Sequence, residues 1–192
     1  PSQGSVQVLG LDVQRNRREL KRRIGYLSQG FSLYEDLSID ENIEFFADIH
    51  QVESFKPRRN ELLEFTRLTP FRTRLAGRPA PGMKKKLALA CTLVHRPEVI
   101  FLDEPTTGVD PVSRRDFWLI LAQVLRDGVS IVVSTPYLDE AERCSQVALL
   151  YAGRLLAADT PGGMHARMEG HIIEFTVSDV RTAAAALPQE PV

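Results

Sequence analysis

The second half of the chain alternates short apolar segments with helical segments, and this pattern constrains the fold more than any other feature. Val99–Asp103, Ser130–Ser134 and Val147–Tyr151 are apolar runs of strand length, and Pro111–Arg126 and residues 138–144 between them are predicted helices. Strands that alternate with helices of this length form right-handed crossovers and a mainly parallel sheet. The sequence therefore predicts an α/β fold.

The first half of the chain predicts two more strands and a separate block of helices. Residues 5–9 alternate apolar and polar side chains, which is typical of an edge strand, and a second strand follows Arg23 in RIGYLSQ. The basic stretch between them is predicted to be a helix with a solvated charged face rather than a phosphate-binding patch. The helical block begins at Ser38, because Ser38 and Glu41 form a capping box ahead of an apolar face made of Ile39, Ile43, Phe46 and Ala47.

Two further helices are predicted within this block. Pro57 is expected at the first position of the helix in PRRNELLEFTRL. GMKKKLALACTLVH is a predicted helix because apolar residues recur at helical spacing, at Met83, Leu87, Ala90, Cys91 and Val94. Its three consecutive lysines are expected on the solvated face, at Lys84, Lys85 and Lys86. Three aromatic residues are expected to pack inside the block: Phe45, Phe46 and Phe65.

Beyond the last of these strands the sequence predicts a hairpin and the start of a further unit. YAGRLLA is expected to turn at Ala152 and Gly153. After the Gly-rich break in TPGGM, HIIEFTV is a predicted strand and the Ala-rich end of the chain is a predicted helix.

Composition narrows the class of protein. Lys and Arg number 24 against 25 for Asp and Glu, and a net charge of −1 gives no general attraction to nucleic acid or to anionic lipid. Cys91 and Cys144 lack C-x-x-C spacing, which argues against a disulfide framework or a zinc site and favours a reducing compartment. Every apolar run falls short of the roughly 20 residues of a membrane span. The histidines have no metal-ligand spacing and are predicted at the surface or in loops: His50, His95, His165 and His171.

Polar residues follow three of the predicted strands at the point where each strand ends. Asp103 and Glu104 follow VIFL, Gln29 ends YLSQ, and residues 135–136 follow IVVS. A strand-end Asp-Glu pair has a simple structural explanation, because the Asp can cap the next turn and the Glu can be solvated. The carboxyl ends of parallel strands share one edge of a sheet, however, so these residues and Asp110 of the TTGVD turn also form a candidate site.

Three segments, in this order and spacing, resemble the nucleotide-binding domain of ABC transporters: YLSQGFSLYEDLSIDENIEFFA, LALACTLVHRPEVIFLDEPTTGVDP and IVVSTPYLDEAERC. The likeness covers about residues 2–163. It implies an α/β fold with a mainly parallel, incomplete P-loop NTPase-like sheet, an inserted helical subdomain at about 38–95 and a short C-terminal strand and helix extension. Residues 1–163 are then a partial ATP-binding domain, and residues 164–192 are the start of an incomplete extension.

The resemblance implies a role for each strand-end residue in binding and hydrolysing ATP. Asp103 resembles the Walker B aspartate, which holds Mg²⁺ through water, and Glu104 resembles the general base that polarises the attacking water. Gln29 resembles the Q-loop glutamine, which contacts the γ-phosphate, so Asp103 and Gln29 are the expected metal-binding residues. Asp110 resembles the D-loop aspartate, which faces a second such domain. Phosphoryl transfer requires these residue types because one carboxylate must hold the metal while another orients water.

The same resemblance exposes a missing phosphate loop. None of the 12 glycines is followed by Lys, so the chain contains no G-x-x-x-x-G-K-[ST] motif. The opening PSQGSVQVLGLDV resembles the segment after the Walker A helix, so the phosphate loop and the aromatic residue that stacks on adenine are expected upstream of Pro1, in a domain that is truncated here. Without that loop no nest of backbone N–H groups receives the β- and γ-phosphates.

Two further family motifs are altered. PAPGM at residues 79–83 replaces the signature LSGGM, with Ala80 in place of Ser and Pro81 in place of the first Gly. Ala80 and Gly82 remain the expected nucleotide-facing positions, but Pro81 removes a backbone donor, which predicts a weak contact with nucleotide on the opposite domain. Pro136 stands where the switch histidine is expected and cannot donate a proton. Because each lost donor costs about 3 to 4 kcal/mol, the chain alone is predicted not to hydrolyse ATP measurably.

The resemblance implies the ATP-binding subunit or half-domain of an ATP-driven exporter, similar to bacterial drug and polyketide exporters and catalytically impaired by itself. Its expected ligands are ATP and Mg²⁺. Its expected partners are a second ABC ATP-binding domain, in a homodimer, heterodimer or tandem protein, and a membrane permease that docks on SLYEDLSIDENIEFF. The expected location is the cytoplasmic face of the bacterial cell membrane, with no nucleic-acid partner. Two alternatives stay open, a non-catalytic structural or regulatory partner and a soluble ribosome-associated ABC ATPase.

Overall fold

A computed structural model describes residues 3–167 of the chain. The chain divides after Tyr137 into two compact units, whose described parts are residues 3–137 and 138–167. The predicted strand HIIEFTV, the predicted Ala-rich helix and His171 lie outside the described residues. Among the described helices, none is long and apolar enough to cross a bilayer.

The centre of the first unit is a three-stranded parallel sheet, which confirms the predicted α/β class. Its strands lie in the order β3 (Ile24–Leu27), β4 (Val99–Asp103) and β5 (Ser130–Ser134). Tyr26 pairs with Phe101, and Asp103 at the end of β4 pairs with Ser134 at the end of β5. Because all three strands run in the same direction, the residues that follow them meet at one edge of the sheet.

The strand predicted at residues 5–9 is shorter than expected and belongs to a separate hairpin. β1 (Gln7–Val8) pairs antiparallel with β2 (Leu11–Asp12) through a turn at Leu9 and Gly10. Both turn residues have positive φ, at 53° and 74°, which matches the twist of a two-residue hairpin loop. The basic helix α1 (Arg17–Arg23) follows and buries Leu20.

The helical block forms as the sequence predicts. α2 (Ile39–Ile49) begins with the predicted capping box, because Glu41 N donates to Ser38 Oγ at 3.2 Å and Ser38 N donates to Glu41 Oε2 at 2.7 Å. α3 (Phe55–Phe65) starts two residues before the predicted position, since Ser54 in a left-handed conformation ends the preceding loop. Pro57 is therefore the third helical residue, where the helix does not need its N–H group. A short 3₁₀ turn (Thr69–Phe71) leads towards α4 (Pro81–Leu93).

The prediction that the lysines of α4 form a solvated face is wrong. Lys84 Nζ lies 3.0 Å from Glu35 Oε1, Lys85 Nζ lies 2.9 Å from the Gln29 carbonyl oxygen, and Lys86 Nζ lies 3.0 Å from Asp116 Oδ2. Only 12% of the Lys86 side chain is exposed. Consecutive helical residues point about 100° apart, so three adjacent lysines reach three different partners. A run of charges in the sequence does not reveal this arrangement.

Helix α5 (Pro111–Arg126) connects β4 to β5 in the first unit. A continuous core is formed by the helical block, the sheet and α5, and its largest fully buried side chains include Leu27, Ile39, Ile43, Leu62, Leu63, Leu87, Leu89, Ile100, Leu102, Phe117 and Leu121. Phe46 and Phe65 pack against this core as predicted, and Phe45 lies against Tyr34, with ring centroids 4.3 Å apart.

His50 and His95 lie together, which their positions in the sequence did not indicate. Their rings stack with centroids 3.8 Å apart and 7° between planes, and His95 Nε2 donates to the Ile24 carbonyl at 2.9 Å. Burial, with a smaller contribution from His50, lowers the pKa of His95 to about 4. His95 is therefore a neutral structural residue that joins the end of α4 to the start of β3.

The second unit contains a hairpin between two short helices. α6 (Leu138–Ala141) is shorter than the predicted helix at 138–144. β6 (Val147–Tyr151) pairs antiparallel with β7 (Arg154–Asp159), and the predicted turn at Ala152 and Gly153 is confirmed. Val147–Tyr151 is thus a strand as expected, but its described partner is β7 rather than the parallel sheet. α7 (Pro161–Ala166) forms where a Gly-rich break was expected, because Thr160 caps it, with Gly163 N donating to Thr160 Oγ1 at 3.1 Å.

Candidate functional site

Three of the residues predicted to share one edge of the sheet lie together: Gln29, Asp103 and Glu104. Gln29, two residues beyond β3, donates from Nε2 to Glu104 Oε2 at 2.9 Å. Ser134 at the end of β5 donates from Oγ to Asp103 Oδ1 at 2.6 Å. The parallel strands therefore bring Gln29, Asp103 and Glu104 into one polar cluster, as expected for a site at the carboxyl edge of an α/β sheet.

Glu104 is held in an unusual backbone conformation. Its φ of 44° lies in the left-handed region, which a residue with a side chain adopts at a cost of about 1 to 3 kcal/mol. Its N–H group donates to the Ser134 carbonyl at 3.0 Å, which anchors the turn to β5. Its Oε2 atom accepts hydrogen bonds from Gln29 Nε2 at 2.9 Å and from Thr107 Oγ1 at 3.1 Å. The turn and these two donors together fix where the carboxylate points.

Side chains of β3 and of β5 contact the carboxylate of Asp103. Ser134 Oγ donates to one of its oxygens, and the Tyr26 hydroxyl lies 3.5 Å from the other. Among the described residues no group of three or more His, Cys, Asp or Glu side chains is arranged to hold a metal. Mg²⁺, however, usually takes one or two protein oxygens and completes its shell with water and substrate phosphates. The Asp103 carboxylate and the Gln29 amide oxygen fit that requirement, and their assignment as Mg²⁺ ligands stays a prediction.

Asp110 caps α5 in this structure. Ser113 N donates to Asp110 Oδ1 at 2.9 Å, and hydrogen bonds from Ser113 lower the pKa of the Asp110 carboxyl group. The side chain is exposed, so capping leaves it accessible. A contact between Asp110 and a second domain stays a prediction.

The altered signature segment forms the start of α4. Ala80 is the N-cap residue and makes no side-chain cap hydrogen bond, and Pro81 occupies the first helical position, where a missing N–H group is tolerated. Gly82 is buried against α5, since a Cβ at this position would lie 2.5 Å from the Cβ of Ser113. Gly82 therefore has a packing role, and a role for Ala80 and Gly82 in nucleotide binding stays a prediction.

Pro136 lies two residues beyond the end of β5, in the first unit. The turn around it is held locally, because Tyr137 N donates to Thr135 Oγ1 at 3.1 Å and the Arg114 guanidinium lies 4.6 Å from the centroid of the Tyr137 ring. A proline ring offers no N–H group, so this position supplies no donor to a phosphate.

Sequence reasoning missed four residues that contact the cluster, including Tyr26, whose hydroxyl lies 3.5 Å from Asp103 Oδ2. Thr107 and Ser134 are hydroxyl residues that each hold one of the two acids, and Lys85 contacts the Gln29 carbonyl. Thr107 and Ser134 lie in segments already assigned to the edge of the sheet, but the sequence does not specify where their hydroxyl groups point. Lys85 had no signal in the sequence, because its partner is 56 residues away.

Comparison with known proteins agrees with this geometry. A family model described as "ABC transporter" matches residues 1–107. The chain is 46% identical over 178 residues to the probable multidrug ABC transporter ATP-binding protein YbhF of Escherichia coli (strain K12), covering 92% of this chain and 31% of that protein. It is 36% identical over 179 residues to the daunorubicin resistance ATP-binding protein DrrA2 of Streptomyces coeruleorubidus, covering 92% of this chain and 56% of that protein. The chain thus spans between about a third and somewhat over half of these relatives.

Solved structures show the same fold. The structure of an ATP-binding subunit of an ABC transporter superposes with a TM-score of 0.75 at 25% sequence identity, covering 87% of this chain and 71% of that chain. A dimeric post-hydrolysis structure of the ATP-binding cassette MJ0796 with ADP and Pi superposes with a TM-score of 0.73 at 22% identity, covering 84% and 75%. The second likeness concerns the fold alone.

Proposed function

Because the chain belongs to the ABC transporter family, we propose that it is the ATP-binding part of a drug-exporter-like ABC transporter and that Gln29, Asp103 and Glu104 serve its ATP site. The observation that carries this proposal is the hydrogen-bonded cluster at the carboxyl edge of the sheet, in which Gln29 Nε2 lies 2.9 Å from Glu104 Oε2. ATP and Mg²⁺ are the proposed ligands.

The chemistry proposed for the cluster is water attack on the terminal phosphate of ATP. Glu104 would orient the water and accept its proton, because its carboxylate is held by Gln29 and Thr107 rather than free to rotate. Asp103 would hold Mg²⁺, which when bound neutralises charge on the phosphates. Gln29, as the glutamine of the Q-loop, would contact the γ-phosphate.

We propose that these 192 residues alone do not turn over ATP. Three sequence observations support this: there is no Gly-Lys pair, Ala80 replaces a hydroxyl donor, and Pro136 replaces a donor at the end of β5. Hydrolysis of ATP depends on donors preorganised around the phosphates. The same substitutions favour a second candidate function, a non-catalytic partner whose site binds nucleotide weakly and supports assembly.

The proposed partners are a second ABC ATP-binding domain and a membrane permease, with the protein at the cytoplasmic face of the membrane. The exposed Asp110 supports the first, because it lies on the turn that would face another domain. For the second, the loop before α2 exposes 48% of Tyr34, which packs against Phe45 with the ring planes tilted by 60° and offers an apolar surface. The domain limits at residues 1–163, 38–95 and 164–192 belong to this proposal as well.

A charge-neutralising substitution tests the proposal. In the natural gene product that contains these residues, assembled with its permease, Glu104→Gln should lower ATP hydrolysis by about 100-fold or more while Mg-ATP binding is kept. Glu98→Gln is the matched control, since Glu98 is an exposed acid just before β4 that pairs with Arg23 at 2.6 Å. Equal activity of the Glu104 and Glu98 variants would contradict a catalytic role for Glu104.

A further inference from the structure

One lysine of α4 is bonded to the loop that carries Gln29. Lys85 Nζ donates to the Gln29 carbonyl oxygen at 2.9 Å, and the Gln29 side chain donates to Glu104 Oε2 at 2.9 Å. Gln29 is therefore held at its backbone by α4 and contacts the acid with its side chain. A short path of two hydrogen bonds connects α4 to the acidic cluster.

Lys85 differs from its two neighbours in the kind of partner it has. Lys84 and Lys86 each form an ion pair with a carboxylate, at 3.0 Å in both cases. In the part of the chain that the structure describes, Lys85 has a backbone carbonyl as its partner instead, and burial lowers the pKa of its ammonium group. Lys85 therefore gives a charge-assisted hydrogen bond to the loop backbone instead of an ion pair, which points to a role in placing the loop.

The Gln29 loop packs against the core through Phe31 and Leu33 and borders a cavity beside this bond. A cavity of about 490 Å³ separates the loop from α4, and Gln29, Phe31, Leu33, Lys84 and Lys85 contribute to its lining. On the side that faces the cavity, polar side chains rather than close packing connect the loop to α4. Among the described residues, the Lys85 bond and the Lys84–Glu35 pair are side-chain links of this kind.

The start of α4 is by contrast fixed to α5. Gly82 packs so closely on Ser113 that a Cβ would lie 2.5 Å from the Ser113 Cβ, and Lys86 pairs with Asp116 at 3.0 Å. Asp110 caps the same helix α5. A displacement of the Asp110 turn would therefore move the start of α4, and Lys85 would carry that displacement to Gln29.

We propose that Lys85 is a positioning residue that holds the Gln29 backbone and so sets the approach of the Gln29 amide to Glu104, coupling α4 and the Asp110 turn to the acidic site. The inference rests on the proposed function, because it assigns a means of regulation to that same site. Lys85 acts through Gln29 and does not touch the reacting atoms.

The first test uses the 192-residue chain and does not depend on ATP turnover. Lys85→Met removes the donors but keeps the length of the side chain, and Lys84→Met is the control in the same helical turn. NMR of the Gln29 side-chain amide should show larger shifts in Lys85→Met than in Lys84→Met, because Lys84 is bonded to Glu35 and only Lys85 is bonded to Gln29 itself. Lys85→Arg, which keeps a cationic donor, should restore the original resonances. Unchanged Gln29 resonances in Lys85→Met would overturn the proposal.

The second test measures ATP hydrolysis by the natural gene product with its permease. Lys85→Met should lower kcat by about 3- to 10-fold with KM for ATP nearly unchanged, because the substitution displaces Gln29 without removing it. In a Gln29→Ala background the same substitution should change kcat by less than about twofold, since the Gln29 amide that Lys85 positions is absent. Equal fold-changes in both backgrounds would show a merely structural role.

These readouts separate the two proposals. If Glu104→Gln leaves hydrolysis intact while Lys85→Met still shifts the Gln29 amide, the proposed function fails and the link from α4 to Gln29 stands. If Glu104→Gln abolishes hydrolysis while Lys85→Met changes neither kcat nor the amide resonances, the proposed function stands and the role of Lys85 is wrong.

Discussion

Glu104 is the residue on which the proposed chemistry depends most, and its geometry is set by the backbone around it. A φ of 44° places it in a region that few residues with side chains occupy. The anchoring bond from its N–H group to the Ser134 carbonyl, at 3.0 Å, holds this turn against β5. Backbone strain of this kind concentrates at functional sites, and here it coincides with the residue that we propose as the general base.

Thr107 provides a residue-scale prediction about the orientation of that carboxylate. Thr107→Val removes the hydroxyl that donates to Glu104 Oε2 at 3.1 Å but keeps the shape of the side chain. We expect ATP hydrolysis by the natural gene product to fall about 10-fold with Mg-ATP binding unchanged. Thr107→Ser, which keeps the hydroxyl, should retain most activity. If the Val and Ser variants are equally active, Thr107 does not position Glu104.

His95 provides a residue-scale prediction about pH. Its pKa is lowered to about 4 in the folded protein from a reference value of 6.5, so the unfolded chain binds more protons between these values. Stability should therefore be lost as pH falls from about 6.5 towards 4. His95→Gln, whose amide can still donate to the Ile24 carbonyl, should flatten this loss in chemical denaturation midpoints measured from pH 7 to pH 5. The same pH dependence in His95→Gln and in the unaltered chain would contradict this role for His95.

At the scale of elements, the contact between α4 and α5 depends on Gly82. Gly82→Ala should destabilise the chain by about 1 to 3 kcal/mol, because overpacking forces two helices apart. Gly30→Ala is the matched control, since a Cβ at Gly30 meets no atom within 4 Å. Chemical denaturation measures both variants. A Gly82→Ala variant as stable as the control would show that the two helix starts are not closely packed.

The sequence predicted elements well where local signals were strong. The capping box at Ser38, the strand that ends in Asp103 and the hairpin turn at Gly153 all appear where expected. Local signals failed where a distant contact decides the outcome. Three adjacent lysines find partners on separate segments, and His95 stacks on His50 across 45 positions of sequence, so neither arrangement could be derived from periodicity.

The sequence predicted the two acids and Gln29 of the candidate site, but it did not predict the side chains that hydrogen-bond to the acids. Parallel strands must place their carboxyl ends at one edge, so the meeting of Gln29, Asp103 and Glu104 follows from fold class and motif together. The hydroxyl donors Thr107 and Ser134 depend on side-chain rotamers at turns, which sequence patterns do not specify.

Over the whole molecule, the 192 residues contain the acids that we propose bind metal and orient water, but they contain no glycine-rich loop for the phosphates. The acidic edge belongs to the first unit, where the sheet is already formed. Relatives that share 46% and 36% identity extend well beyond the region of similarity, since the chain spans 31% and 56% of their lengths.

Phosphate release from Mg-ATP by the purified 192-residue chain shows whether the acids suffice for hydrolysis without the phosphate loop, with Glu104→Gln measured beside it. The account predicts no release above the rate in buffer for either protein, because acids without a phosphate cradle cannot position ATP. Release by the unaltered chain that Glu104→Gln abolishes would contradict it.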